Sequence, residues 1–297
     1  MKKLIKNKVF QVLMAVIFVA GLSIGVYSIS IYQNAAKTVN EKIYQPVQTI
    51  EHDFVKKKIK EEKPLNILLL GVDERKGDVG RSDALMVLAL SPSEDNAKLI
   101  SIPRDTRTEI IGRGTLDKIN HAYAFGGPDM SIQTVEHLLD IQLDYFVRVN
   151  MEGLAEVVDA IGGITVNNDI KFNNFDTGEV YLSGTETLEY VRMRKQDPNG
   201  DFGRTERQRK VIQEIINQGA NISSVTKIHE LIDVLGNNVA TNMDFEDMKN
   251  LLFNYKNTRN NLTTYQLQGK GTMINGIWYM NVTEEEVEKV HNMIVES

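Results

Sequence analysis

The longest uninterrupted apolar stretch comes first in the chain. "VFQVLMAVIFVAGLSIGVYSISI", residues 9–31, is twenty-three positions without a charge, and it follows "MKKLIKNK", with four lysines and no acid. About 20 apolar residues match the hydrocarbon thickness of a bilayer, so this run predicts one transmembrane signal-anchor helix. The alternative is a cleaved signal peptide with Ala20–Ser23 as its small-residue site, but such peptides have shorter apolar cores. Lysines stay on the cytoplasmic side. That leaves residues 1–8 as a cytoplasmic tail and predicts a single-pass protein of the cell membrane, its main domain extracytoplasmic.

Residues 32–63 turn polar, with Val39, Ile43, Val47, Ile50 and Phe54 spaced by three or four. This spacing predicts a weakly amphipathic helix, a stalk that would reach roughly 45 Å if helical throughout. Beyond Pro64 the period changes. "LNILLLGVDER", "DALMVLALSP" and "AKLISIPRDT" are apolar runs short enough for buried strands. "GPDMSIQTVEHLLD" and "MEGLAEVVDAIGG" have helical spacing, while "YFVRVN" and "ITVNN" read as strands. Further helices are predicted over 183–190, 203–218, 224–235, 244–254 and 283–295, and "TTYQLQG" with "MINGIWYMNV" predicts a hairpin. Strands alternating with helices predict one α/β domain over residues 64–297. Its mixed central sheet is covered by helices on both faces, an α-β-α sandwich.

Charge sharpens the picture. The chain carries −6 overall and +4 in its first thirty-three residues, leaving −10 for residues 34–297. Nucleic-acid binding needs a positive footprint, so no such partner is expected. The absence of cysteine excludes disulfides and thiolate chemistry. Against this background "EYVRMRKQDPNGDFGRTERQRKVI", residues 189–212, gathers five arginines and two lysines. Either it is a solvated helix face or something strongly anionic sits there.

Functional groups in α/β folds collect on the loops at strand ends. Three such ends carry charge: "GVDERKGDVGRSD" with Asp73, Arg75, Arg81 and Asp83; "SIPRDTR" with Arg104, Asp105 and Arg107; and the cationic stretch itself. Pro198, Asn199 and Gly200 break any helix, so "VRMR" reads as leading into a loop, and Arg192 and Arg194 would share a side if extended. A helix then starts near Gly203. With Arg204 at 0° and about 100° per residue, Val211 falls near 340°, Ile215 near 20°, Gln208 near 40° and Ile212 near 80°. Arg204 and Gln208 therefore lie on the apolar, inward face, whereas Arg209 and Lys210 fit a solvated face.

Two guanidinium groups 6 Å apart repel by roughly 3 kcal/mol at an effective dielectric of 20, so converging arginines call for an anion. The planar arginine fork suits phosphate. Asp73 and Asp83 beside a polyanion would form a hard-oxygen site for Mg²⁺, or would simply pair with Arg75 or Arg81. His121 in "KINHAY" reads as a structural or loop hydrogen bonder. No His/Cys metal spacing, P-loop or GxSxG motif occurs.

"GRSDALMV", "SIPRDTR", "KINHAYAFGG" and "YVRMRKQDPNGDFGRTERQRKVI", in this order behind an N-terminal anchor, resemble the LytR–CpsA–Psr family of Gram-positive bacteria over roughly residues 64–220. The resemblance implies an extracytoplasmic phosphotransferase. Such an enzyme moves an anionic glycopolymer, such as wall teichoic acid, from a polyprenyl-pyrophosphate lipid to peptidoglycan through a phosphodiester bond. By motif it implies Mg²⁺ on Asp73 and Asp83, phosphates gripped by Arg81, Arg104, Arg192 and Arg194, and support from Arg204 and Gln208. Arg81 and Arg104 also stabilise charge in catalysis, and Asp201 takes the proton of the acceptor hydroxyl. Arg75, Asp105 and Arg107 are further candidates. The same site would serve a polyprenyl-pyrophosphate phosphohydrolase, and a membrane-bound lipid sensor or attenuator is the non-catalytic alternative. Eight cytoplasmic residues are too few for a DNA-binding domain, which weighs against an attenuator. A lipid tail would need an apolar tunnel, expected between sheet and helices.

Overall fold

The computed structural model describes residues 30, 32–73, 80–219, 236 and 238–296. The predicted membrane span therefore lies outside the described residues apart from Ser30, as does the helix predicted over 224–235. Among the described residues no helix is long and apolar enough to cross a membrane.

A six-stranded mixed sheet forms the centre. It comprises β1 (Leu65–Val72), β2 (Ser82–Ser91), β3 (Asn96–Ile102), β6 (Tyr145–Asn150), β9 (Val239–Thr241) and β10 (Asn261–Gln266), in the order β10-β3-β2-β1-β6-β9. β1–β2, β2–β3 and β6–β9 pair antiparallel; β1–β6 and β3–β10 pair parallel. β1 is apolar along both faces, as a strand covered on both sides must be. Leu68, Leu70 and Val72 pack with α2 (His121–Leu139) and α7 (Glu284–Val295) through Ile132, Val135, Leu139, Val290 and Ile294. Leu65, Ile67 and Leu69 face the other way, against Val55 and Ile59 of α1 (His52–Lys60) and Met248 and Leu251 of α6 (Phe245–Asn254). Helices thus cover both faces.

Three short two-stranded ribbons decorate this frame: β4 (Arg107–Ile110) with β5 (Thr115–Lys118), β7 (Ile164–Asn168) with β8 (Gly178–Leu182), and β11 (Lys270–Ile274) with β12 (Ile277–Asn281). The last corrects the hairpin expectation. "TTYQLQG" does not pair with "MINGIWYMNV"; it joins the sheet as β10 beside β3. The hairpin lies inside "MINGIWYMNV", where Asn275 and Gly276 both take positive φ, the backbone that tight β-hairpins require.

The stalk helix is also corrected. Residues 32–63 do not form one helix: a π-helical turn spans Val39–Ile43, an irregular stretch follows, and α1 begins at His52. Val39 and Ile43 are buried against Val239, and Val55 and Ile59 lie in the core. Phe54, predicted on the apolar stripe, is exposed. The helical spacing was real, but its apolar face found a surface to bury against.

Candidate active site

β1 and β3 end, and β2 begins, on the same edge of the sheet. That places Asp73, Asp83, Arg104 and Asp105 together around a polar cavity of about 500 Å³, with Arg81, Lys118, Asn120 and His121 completing its wall. Gly80 turns the chain into this wall with φ +73, and a Cβ there would lie 2.8 Å from the Asp73 carbonyl oxygen. Arg104 Nη1 donates to Asp83 Oδ1 at 2.7 Å, and Lys118 Nζ donates to Asp105 Oδ1 at 2.6 Å. Burial alone would lower the pKa of Arg104, but the bond to Asp83 and the charges of Asp83, Asp201 and Asp105 reverse this and hold it above its usual value.

The second half of the site is the start of α5 (Asp201–Gly219). Asp201 Oδ1 is approached by Arg204 Nη2 at 2.6 Å, Arg194 Nε at 3.6 Å and Arg104 Nη2 at 3.8 Å. Burial lowers the pKa of Arg204, Asp201 opposes that, and the neighbouring Arg104 and Arg194 add to the lowering. This is the electrostatic cost of crowding guanidinium groups, which a polyanion would relieve. Several buried polar atoms here have no hydrogen-bond partner among the described residues: Arg104 Nε, Arg204 Nε, Gln208 Oε1 and Asn120 Oδ1. Native proteins rarely leave such groups unpaired, so a cluster of them at one place marks a ligand site.

Gln208 also forms part of a second, apolar cavity of about 280 Å³. Its sheet wall comes from Leu69, Gly71, Ala84 and Met86, and its helical wall from Leu154 and Val157 of α3 (Met151–Ala160) and Val211, Ile212 and Ile215 of α5. The linings of the two cavities approach each other along the chain at Gly71 and Asp73 and are adjacent at Asp83 and Ala84. A charged headgroup and an apolar tail are thus offered neighbouring compartments.

The predicted residues do not all converge. Arg81, Arg104, Asp73, Asp83 and Asp105 share the polar cavity, while Asp201, Arg194 and Arg204 meet beside it. Among the described residues Asp83 pairs with Arg104 and not with Arg81. Arg192 is not on an extended strand: it ends α4 (Gly184–Arg192), with Met193 as its extended cap, and is exposed two residues from Arg194. Arg107 is carried off on β4, its guanidinium 5.9 Å from the Tyr279 ring centre, because the turn at Pro103–Thr106 redirects the chain. Arg75 lies outside the described residues.

Lys118 and Asn120 were overlooked; their signal was the polar pair at the end of a short strand, just before a helix. Arg207 was overlooked for a different reason. It is buried, bonded to Asp197 Oδ2 at 2.5 Å and to the carbonyls of Met193 and Tyr190, so it shapes the fold around the site. His121 Nδ1 lies 2.7 Å from Asp117 Oδ2 at the start of α2, as a loop hydrogen bonder would.

Known proteins with this architecture narrow the chemistry. The model of the LytR_cpsA_psr family matches residues 26–295. The chain is 46% identical to the polyisoprenyl-teichoic acid–peptidoglycan teichoic acid transferase TagU of Bacillus licheniformis over 296 residues, 98% of this chain and 96% of the relative. The crystal structure of Bacillus subtilis TagU superposes with a TM-score of 0.64 at 45% identity, covering 78% of this chain and 96% of that one. TagT bound to LIIa-WTA superposes with a TM-score of 0.68 at 30% identity, over 78% and 90% of the two chains. With a family match across most of its length, the chain belongs to the LytR_cpsA_psr family.

Proposed function

We propose that this protein transfers a teichoic acid from a polyisoprenyl carrier to peptidoglycan, the activity in the name of its relatives. The observation that carries the reading is the junction of the two cavities. Buried, unpartnered arginine and amide atoms stand beside an apolar pocket, at Gln208. A pyrophosphate joining a sugar to a polyprenyl chain has this same division into anionic and apolar parts.

In the reaction the acceptor hydroxyl oxygen attacks the sugar-linked phosphorus. A new P–O bond forms, the bond from that phosphorus to the bridging oxygen breaks, and polyprenyl monophosphate leaves with the electron pair. Arg81, Arg104 and Arg204 stabilise the charge on the phosphates, with Arg192 and Arg194 gripping from the rim. All three arginine contacts of Asp201 fall on Oδ1, which leaves Oδ2 to take the hydroxyl proton. Catalysis is positioning and charge neutralisation.

The carboxylates of Asp73 and Asp83 line the cavity beside these arginines, an all-oxygen donor pair suited to Mg²⁺. These two residues would hold the ion, which would neutralise pyrophosphate charge. A membrane anchor at residues 9–31 would keep the domain near a lipid-borne donor.

The full chain, incubated with a polyprenyl-pyrophosphate-linked glycopolymer and peptidoglycan oligomers with and without Mg²⁺, tests the reading by product mass. A phosphodiester-linked conjugate is expected. Free glycopolymer phosphate without conjugate means a phosphohydrolase, and unchanged bound lipid means a sensor.

A further inference from the structure

Helix α5 has a third face. At about 100° per residue, Phe202, Glu206 and Arg209 lie between about 140° and 200° from Arg204, away from the apolar cavity. There they meet the end of β10 and enclose a separate polar cleft of about 510 Å³, within the range of about 300–1,000 Å³ typical of small-molecule sites.

The cleft is chemically unlike the phosphate cavity. Its one arginine, Arg209, is balanced by Glu206, and the rest of its polar lining is uncharged: the amides of Asn199, Gln266 and Gln268 with Thr264 and Tyr265. Arg209 Nη1 donates to Gln266 Oε1 at 2.8 Å. This fixes the amide of Gln266, a residue only 8% exposed, and its Nε2 has no partner among the described residues. Gln268 Nε2 donates to the Gln266 carbonyl oxygen at 2.7 Å, and the ring of Tyr265 adds an aromatic wall. Neutral paired donors and acceptors beside an aromatic residue suit hydroxyl and acetamido groups, not phosphate.

Its position ties it to the reaction. Asn199 and Phe202 flank Asp201, and Gln266 pairs in register with Ser101, three residues before Arg104. The cleft thus shares both entry segments of the catalytic site and lies on the flank of α5 opposite the apolar cavity. An attacking hydroxyl in an in-line displacement must approach from the side opposite the departing group.

Resting on the proposed transfer reaction, we infer that this cleft is the subsite for a neutral N-acetylated sugar of the acceptor glycan. The donor glycopolymer also carries sugars, so the test must separate the two sources. The double variant N199A/Q268A changes two exposed side chains and is compared with the parent full chain in detergent. Two readouts are made: equilibrium binding of a fluorescent peptidoglycan oligomer without donor, and transfer kinetics with each substrate varied in turn.

We expect oligomer binding to weaken and acceptor KM to rise, each by about ten-fold, with donor KM within about two-fold of the parent. Unchanged oligomer binding, or a rise in donor KM in place of acceptor KM, overturns the assignment. The binding readout needs no turnover. Loss of binding in the variant, with no conjugate from the parent, would therefore refute the transfer reaction while leaving a glycan site in place.

Discussion

Arg104, just past the end of β3, bonds Asp83 at the start of β2 at 2.7 Å while its other terminal nitrogen lies 3.8 Å from Asp201. One guanidinium thereby links the two halves of the site. Its Nε, though buried and 3.8 Å from Asp105, makes no hydrogen bond. Arg104→Ala should lower kcat/KM for transfer by about 100-fold or more, the scale of losing a preorganised charge donor. Its melting temperature should move by only a few degrees. Arg104→Lys should not restore activity, because a point charge cannot replace the planar fork. Steady-state kinetics with thermal unfolding of the same preparations checks both statements.

Arg207, three residues beyond Arg204, should behave in the opposite way. Its ion pair with Asp197 is almost fully buried, and α5 passes so close that a Cβ on Gly203 would fall 1.9 Å from Asp197 Oδ2. Arg207→Leu strands the carboxylate and should cost about 3–5 kcal/mol of folding stability, read by urea denaturation. Lys210, whose partner Asp169 is largely solvent-exposed, should cost less than about 1 kcal/mol as Lys210→Ala and leave transfer nearly intact.

These three neighbours show where sequence reading succeeds and where it stops. The helical wheel placed Arg204 and Gln208 inward because Val211, Ile212 and Ile215 define a stripe within the same helix. At about 100° per residue Arg207 falls only about 40° from Val211, at the edge of that stripe; what the wheel could not name are its partners, Asp197 and two carbonyls on the segment before the helix. β10 had strand character in "TTYQLQG", but its partner β3 lies more than 150 residues earlier and nothing local names it. The apolar cavity needed three elements, β1–β2, α3 and α5, to be assembled before it existed. Motif residues at strand ends were legible because each strand carries its own end.

The apolar cavity predicts selectivity for the lipid. Ile212 and Ile215 project into it from α5. Ile212→Trp should fill much of its volume and raise KM for a long polyprenyl donor by about ten-fold, with a smaller effect on a short-chain analogue. Equal effects on both chain lengths would place the tail elsewhere.

Acid stability should trace to Asp244, which caps α6 and pairs with Lys56 at 2.7 Å. Burial pushes its pKa up, but the Lys56 bond, the Asp247 backbone amide and nearby positive charge outweigh that and hold it below the ordinary aspartate range. A depressed folded-state value gives stability that is fully present above the ordinary aspartate range. That stability is lost as pH falls through the lowered value. Asp244→Asn should therefore destabilise the protein at neutral pH and flatten the acid limb of its stability curve, as measured by denaturant titrations across pH.

The most direct measurement of the central claim is stoichiometry. Purified full-length protein is given lipid-linked glycopolymer and peptidoglycan oligomers, and polyprenyl monophosphate and conjugate are quantified in the same reaction. Transfer predicts one molecule of polyprenyl monophosphate for each conjugate formed, with both lost together in Arg104→Ala. Polyprenyl monophosphate accumulating without conjugate would contradict it, and the arginines would then be serving water instead of a wall sugar.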